Sequence, residues 1–533
     1  MNIIDEIKSQ IIKLINLPEE KIILEIPKKR EFGDYSTNIA MKLAKTLGKN
    51  PRDLAQEIIS KMNFDGTYIT KAEIAGAGFI NFFLDDKWLA QVPKNVLKLG
   101  DKYGANESLK GEKICLEYVS ANPTGPMHMG NARGGALGDS LARVMKACNA
   151  DVTKEFYLND AGNQIAKLGK SLYARYMQAQ GEDYEFPEDG YQGADIIQLA
   201  EEFGKAKGTE EEITEKLVAF ALERNCANMK RVLSEYRVDY DVWFKESTLY
   251  ETNAVADIVE MLKQNGATYE KDGAIWLRCD ETTDEKDEVL VRANGIPTYF
   301  AADIAYHYNK LHERKFTRAI NVWGADHHGH IARMKRSMDL LGIDGERLEV
   351  ITIQLVRLMR GSEIARMSKR RGEMISLEDL LEEIGIDAAR YFFNMRLANS
   401  HFDFDLELAV KKSSENPVYY VQYAHARICS ILENAPEWKC ESPTYEHDAE
   451  KNLLRKIAQF PSEVAICAQT LEPSRLTHYA TDLAGEFHSF YAACKVITDD
   501  ATTRNSRLLL ADVARQTLAN VLELLGVNAP ERM

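Results

Sequence analysis

The sequence predicts an α/β protein in three parts: an N-terminal α+β domain, a central domain built on a parallel sheet, and a C-terminal all-α helical bundle. Three observations predict it. Residues 116–145 read as strand, tight loop, helix: an apolar run (Ile114, Cys115, Leu116, Tyr118, Val119) breaks at Asn122-Pro123-Thr124-Gly125-Pro126, and helical spacing resumes at Leu137, Leu141, Val144 and Met145. Further strands recur at DVTKEFYL and AINVWG, separated by helical stretches, as a parallel sheet requires. From about Ile386 onward the apolar residues recur at three and four positions, the pattern of a helical bundle.

Composition narrows the class. At 533 residues the chain forms several domains, each with ample core. No apolar run is long enough to span a bilayer, and MNIIDEIKSQIIKLIN lacks the charged-then-apolar layout of a signal peptide. The eight cysteines are scattered with no CxxC pair, which argues against a disulfide framework or a cysteine zinc site and fits a cytoplasmic location. A net charge of −15 argues mildly against nucleic acid as a partner, although binding depends on where basic residues cluster and not on their total.

In chain order, residues 1–105 form the first domain. Ile3, Ile4, Ile7, Ile11, Leu14 and Ile15 share one helix face, and Asn50-Pro51 is an N-cap with proline at the first helical position. TYITKAEIAGAGFINFFL reads as two strands joined at Gly76-Ala77-Gly78. Phe32 and Tyr35 read as ordinary core or turn residues.

The central helix opens with Gly130, Gly134, Gly135 and Gly138, which lower its propensity, so something must approach the backbone closely. A phosphate would be drawn to the unpaired N–H groups and partial positive charge of a helix N-terminus. Close packing of helix on strand explains the glycines equally well. His128 tips the balance toward phosphate, because an imidazole there can donate to a phosphoryl oxygen as charge develops.

Residues 151–162 read as a second strand and loop, followed by alternating helices to about residue 265. Residues 181–208 form a polar, turn-rich surface insertion with no assignable chemistry. Asn294-Gly295 is a strong hairpin signal, predicting that residues 289–292 pair with 297–300 and that a helix starts at Asp303. Strand ends of a parallel sheet receive ligands, so Tyr299 and Asp303 opposite Glu117 would suit a planar guanidinium, with acid on its edge and ring on its face. From this segment alone, an N-cap Asp303 and a core Tyr299 are the simpler reading.

AINVWGADHHGH ends a strand at Gly324, followed by Asp326, His327, His328 and His330. Such a cluster suggests a metal, but zinc sites usually draw ligands from separated elements and no cysteine supports one, so no protein metal ligands are expected. Arg366, Lys369, Arg370 and Arg371 sit in a loop with Gly361 and Gly372 before a helix capped by Ser376 and Asp379. By itself a charge run is a solvated face. Tyr419, Tyr420 and Tyr423 form an aromatic stripe, more often core than an RNA-stacking surface.

Together these segments resemble one family. HMGN, residues 128–131, is similar to the His-Ile-Gly-His signature of class I aminoacyl-tRNA synthetases, and the longer string with Glu117 ahead of SANPTGP and ARGGALGD behind it resembles the arginyl members. RMSKR is similar to their Lys-Met-Ser-Lys-Ser loop, with Arg366 in the first lysine's place and Lys369 in the second's. REFGDYSTNIA resembles the extra N-terminal domain that contacts the tRNA elbow in that family. Asp387-Ala388-Ala389-Arg390 and the terminal APERM resemble its anticodon-binding domain.

The resemblance implies a Rossmann-like catalytic domain with a helical insertion at 106–355, a mobile-loop and connective region at 356–405, and an anticodon-binding domain at 406–533. It implies ATP-dependent ligation of L-arginine to tRNA(Arg) through an arginyl-adenylate, releasing AMP and pyrophosphate, with Mg²⁺ accompanying ATP. His128 and Lys369 are then catalytic, and ATP meets His128, Gly130, Asn131, Gly324, Asp326, Met367, Ser368 and Lys369. Arginine meets Glu117, Ser120, Asn122, His128, Tyr299, Asp303 and His327; tRNA meets Asn416, Tyr420 and Met533. A monomer is expected, and the family commonly needs tRNA bound even for the first step.

Asn131 replaces the signature's second histidine; its amide can donate to phosphate but cannot carry charge. Two rival readings are a cysteine-type class I synthetase and a non-catalytic tRNA-binding paralogue. Against the first stand about 110 residues ahead of the catalytic strand and the lack of zinc ligands; against the second, the presence of both His128 and Lys369.

Overall fold

The computed structural model describes residues 3–15, 22, 24, 25, 27, 29–278, 287–325, 328–365 and 375–533. In the N-terminal unit, α1 (Ile3–Ile15) buries Ile7 and Ile11. There follow β1 (Tyr35–Thr37), α2 (Ile39–Leu47), α3 (Pro51–Lys61), β2 (Ile69–Ala75) and β3 (Phe79–Leu84), whose strands form an antiparallel sheet in the order β1-β3-β2. The Asn50 side chain accepts from the Arg52 N–H at 2.9 Å, which fixes where α3 starts. Phe32 is exposed, whereas Tyr35 is buried. Helix α4 (Gln91–Leu99) leads into the central unit.

That unit begins with β4 (Lys113–Glu117), α5 (Gly130–Ala147), β5 (Asp151–Leu158), α6 (Asn163–Ala179), α7 (Ala194–Phe203), α8 (Glu210–Glu235) and β6 (Val242–Lys245). It continues through α9 (Ser247–Glu251), α10 (Ala254–Gln264), β7 (Thr268–Lys271), β8 (Ala274–Leu277), β9 (Glu288–Val291), α11 (Tyr299–Tyr308), β10 (Arg318–Gly324), α12 (His328–Leu340) and β11 (Leu348–Ile353). Five strands form a parallel sheet in the order β11-β10-β4-β5-β6. The order reverses between β4 and β10, and at such a switch point the carboxyl ends of the strands open a crevice for ligands.

The two faces of β4 have opposite chemistry. On one, Tyr118 packs against α5: a Cβ on Gly138 would stand 2.1 Å from the Tyr118 ring, and one on Gly135 3.3 Å from Tyr236. The helix glycines beyond the first turn thus serve close packing, and the phosphate explanation is left to Gly130. On the other face Glu155, Glu117 and Asn321 stand side by side on β5, β4 and β10. Helix α11 and a π-helical turn, Asn309–Glu313, cover this polar row.

Three sequence expectations are corrected here. The stretch to residue 265 is not helices alone, because β6 adds a strand to the parallel sheet. The 181–208 insertion contains α7, packed between the helices on either side of it. The Asn294-Gly295 turn closes, with Arg292 N–H donating to the Ile296 carbonyl at 3.0 Å, but pairing stops after the Val291–Pro297 bridge. Thr298 then accepts from the Ala301 N–H and caps α11, so Tyr299 and Phe300 are already helical. Strand β9 belongs to a separate antiparallel sheet, β7-β8-β9. Asp303 therefore reaches the central sheet on a helix lying across it, not at the end of one of its strands.

Beyond β11 come β12 (Val356–Arg360), β13 (Glu363–Ile364), α13 (Leu377–Ile384), α14 (Ile386–Asn394), β14 (Phe402–Asp405) and α15 (Leu406–Ala409). The C-terminal helices are α16 (Pro417–Glu433), α17 (Asp448–Thr470), α18 (Ser474–Ala493) and α19 (Ala501–Leu524). Arg390 of α14 is wholly buried: it pairs with Asp139 of α5 at 2.6 Å and donates to the carbonyls of Tyr236, Arg237 and Leu525. One guanidinium thus joins the central helix to the C-terminal bundle.

Candidate active site

The site is built where β4 ends. Val119 and Ser120, two and three residues after Glu117, have φ of 72° and 42°, a left-handed conformation that a β-branched valine adopts only under constraint. That turn lets the Ser120 hydroxyl donate to Glu117 Oε1 at 2.9 Å while accepting from the Tyr157 N–H at 3.1 Å. The other Glu117 oxygen accepts from Lys310 Nζ at 2.6 Å. Asn122, farther along the loop, donates to Gln164 of α6 at 2.6 Å.

At the start of α5 the HMGN turn is knitted to itself. Gly130 N–H donates to His128 Nδ1 at 3.0 Å, and His128 N–H donates to Asn131 Oδ1 at 3.2 Å. Nδ1 as acceptor puts the neutral ring's proton on Nε2, the outward donor, and burial lowers the His128 pKa in favour of that neutral form. The Asn131 oxygen is engaged as a cap, which leaves its amide NH₂ as the group for a ligand.

Residues 366–374, with Arg366, Met367, Ser368, Lys369, Arg370, Arg371 and Gly372, lie outside the described residues, as do Asp326 and His327. Their flanks are informative. Met129 N–H donates to the Ile375 carbonyl at 3.2 Å, and Leu377 N–H to the Met127 carbonyl at 2.8 Å, so the chain leaving the basic segment is bonded to the HMGN turn. Arg133 of α5 donates to the carbonyls of Gln354, Leu397 and Ser400, clamping the same helix to the exit of β11. Gly324 ends β10 and is exposed.

Tyr299 and Asp303 occupy one face of α11, one turn apart. Tyr299 is 45% exposed, and a Cβ on Gly162 would lie 3.0 Å from its hydroxyl. Asp303 Oδ2 accepts from His330 Nε2 at 3.1 Å. Around them stands a group that sequence reasoning missed. Glu246, the residue after β6, is buried; burial first, and then the charge of Asp303, push its carboxyl up to about 7. Tyr250 donates to Glu246 Oε1 at 3.4 Å, and Asn159, with its amide turned to donate, reaches Oε2 at 2.9 Å. Tyr157 lies within the field of Glu246, Asp303 and Glu117 together, and burial with these acids raises its phenol pKa. The sequence signal for Glu246 was WFKES, a four-residue strand ending in an acid, too short to stand out from helical surroundings.

The tRNA candidates lie apart, on the helical bundle. Asn416 is a buried cap of α16: its oxygen accepts from Val418 N–H and its NH₂ donates to the Ala409 and Lys411 carbonyls. Tyr420 is partly exposed beside His488, Tyr423 stacks on Tyr419, and Arg427 lies over Tyr423 and Tyr491. Met533 is exposed at the chain end.

A parallel sheet whose switch point faces an HMGN turn, with the chain that follows the basic segment bonded to that turn and a helical bundle docked behind it, defines a class I aminoacyl-tRNA synthetase. The fold is shared, at 13% identity and a TM-score of 0.57, with a Mycobacterium tuberculosis methionyl-tRNA synthetase structure, over 78% of this chain and 91% of that one. Three family models match: "Arginyl tRNA synthetase N terminal domain" at 1–84, "tRNA synthetases class I (R), catalytic domain" at 92–403 and "DALR anticodon binding domain" at 421–533. The chain is 50% identical, over all of both chains, to an Acetivibrio thermocellus protein named arginine–tRNA ligase. A Thermus thermophilus arginyl-tRNA synthetase structure covers 99% of the chain and is itself covered completely, with a TM-score of 0.79 at 22% identity. The chain belongs to the arginyl-tRNA synthetase family.

Proposed function

We propose that this chain activates L-arginine with ATP and transfers it to tRNA(Arg), acting as a monomer in the cytoplasm. One observation carries the choice of amino acid. Glu246 follows β6, helix α11 brings Asp303 into its field, and Tyr299 lies one turn away beside Gly162, just beyond β5; two acids acting on each other in this way call for a cation that can bridge them. A guanidinium, with five donors in a plane, fits two acids and an aromatic ring; lysine or citrulline would leave buried acceptors unpaired, and such sites discriminate by roughly 10⁴-fold or more.

The substrate's head then points toward Glu117, Ser120 and Asn122, which take its ammonium. This leaves its carboxylate facing the HMGN turn, where His128 Nε2–H, Gly130 and Asn131 receive the nucleotide phosphates; Gly324 and Asp326 take the adenosine end of ATP, and His327 faces the arginine. Attack of the carboxylate on the α-phosphate expels pyrophosphate, and Lys369, with Met367 and Ser368, neutralises the charge that gathers on the leaving oxygens. In support, the chain on the far side of that segment is already hydrogen-bonded to the HMGN turn. Among the described residues no group of three His, Cys, Asp or Glu is gathered for a metal. Mg²⁺ would accompany ATP and supply positive charge to its phosphates. Among the described residues, no helix is long and apolar enough to cross a membrane.

Tyr420, Tyr423, Arg427 and Met533 form the surface we assign to unpaired tRNA bases, with Asn416 orienting α16 from beneath. Charging total tRNA with each radiolabelled amino acid in turn tests the proposal. Arginine alone should become acid-precipitable; precipitable counts with another amino acid, or with none, refute it.

A further inference from the structure

Lys310 is buried without any solvent exposure, on the π-helical turn Asn309–Glu313. The turn is closed by Arg314 N–H donating to the Asn309 carbonyl at 2.9 Å, and π turns are rare and concentrate at functional sites. Nζ donates to Glu117 Oε2 at 2.6 Å and to Asn321 Oδ1 at 3.1 Å, and sits 4.0 Å from the centre of the Tyr306 ring. Tyr306 in turn donates to Glu155 at 2.6 Å, which pairs with Arg314.

A buried ion pair of this kind is no better for stability than well-packed apolar residues, so its presence asks for another reason. Glu117 supplies one. The Ser120 hydroxyl and Lys310 hold one oxygen each, and each oxygen keeps a lone pair for a further donor. The bonds also continue past Lys310. Asn321 donates to His307 Nε2, and His307 Nδ1–H donates to the Asp303 carbonyl at 2.7 Å. An unbroken chain of hydrogen bonds thus links Glu117 to the residue assigned to the guanidinium.

We propose that Lys310 is a positioning residue for the substrate's α-ammonium: it never touches the amino acid, but holds the Glu117 carboxylate turned so that its free lone pairs meet the ammonium. This rests on the assignment of Glu117 to the ammonium made above. Without Lys310 the carboxylate would keep the Ser120 hydroxyl as its one firm partner, and the oxygen that Lys310 holds would be free to turn away from the ammonium.

The test compares binding of L-arginine with that of 5-guanidinopentanoate, the same skeleton without the α-amino group, by calorimetry on the full chain. Glu117→Gln should weaken arginine by about tenfold to hundredfold, as expected for losing a charge-assisted hydrogen bond, and leave the analogue within about twofold. Lys310→Met should reproduce that selective loss. A Lys310→Met protein that loses both ligands equally, or neither, overturns the proposal, because damage to the fold does not read the amino group. Should Lys310→Met not fold, Lys310→Met/Glu117→Gln removes both charges and takes its place; it should match Glu117→Gln alone, and a further loss confined to arginine overturns the proposal. If Glu117→Gln itself treats the two ligands alike, the assignment of Glu117 falls, and the role of Lys310 with it.

Discussion

Glu246 and Asp303 stand within each other's field in the candidate arginine pocket, and burial together with the Asp303 charge pushes the Glu246 carboxyl up to about 7. Two acids that repel each other attract a guanidinium strongly only when both are ionised. Arginine should therefore be taken up with release of a proton near neutrality. The kcat/KM for arginine should fall as pH drops below 7, approaching tenfold per unit, while the KM for ATP changes little. Initial rates of charging between pH 6 and 8.5 check this; a flat arginine profile over that range contradicts it.

The same shift has a consequence for stability, with the sign fixed by linkage. The folded pKa of Glu246 lies above its ordinary 4.5, so the fold disfavours the ionised form. Its cost is absent below about pH 4.5, grows as pH rises through the interval to about 7, and is constant above. Glu246→Gln should raise the melting temperature at pH 8, leave it nearly unchanged at pH 4.5, and sharply reduce arginine use. Calorimetric scans at the two pH values read the first two effects. A melting temperature that falls at pH 8 would mean that Glu246 is a structural acid.

Gly138→Ala should destabilise the protein by about 1–3 kcal/mol or more, since its Cβ would stand 2.1 Å from the Tyr118 ring in a close-packed layer. The ring has little room to retreat, because Tyr240 lies 4.7 Å away. Urea denaturation monitored by tryptophan fluorescence gives the value.

Arg390→Leu removes one partner of a buried pair and leaves Asp139 and three carbonyls short of a donor. A loss of about 3–5 kcal/mol is expected. Limited proteolysis should also begin to separate the C-terminal bundle from the rest, since Arg390 is where α5 and the end of α19 are tied together.

How far the sequence revealed all this depended on whether its signals were local. The loop after Glu117, the HMGN turn, the Ser376–Asp379 capping box and the Asn50-Pro51 cap are written in consecutive residues, and each was legible. Glu246 was not, because β6 is four residues long and its membership of the parallel sheet depends on pairing with β5, almost ninety residues away. The Asn294-Gly295 turn was read correctly as a turn, yet Thr298 caps a helix at once and ends the pairing. The glycines of α5 were ambiguous for a physical reason: phosphate access and close packing both demand a missing side chain, and only the neighbouring Tyr118 and Tyr236 rings distinguish them.

The central claim is that Asp303 takes one edge of the substrate's guanidinium. Steady-state charging of tRNA by Asp303→Asn, with arginine and ATP varied separately, tests it most directly. The account predicts that kcat/KM for arginine falls by at least about 10²-fold while the KM for ATP stays within about threefold. Arginine turnover left intact by that substitution would contradict it.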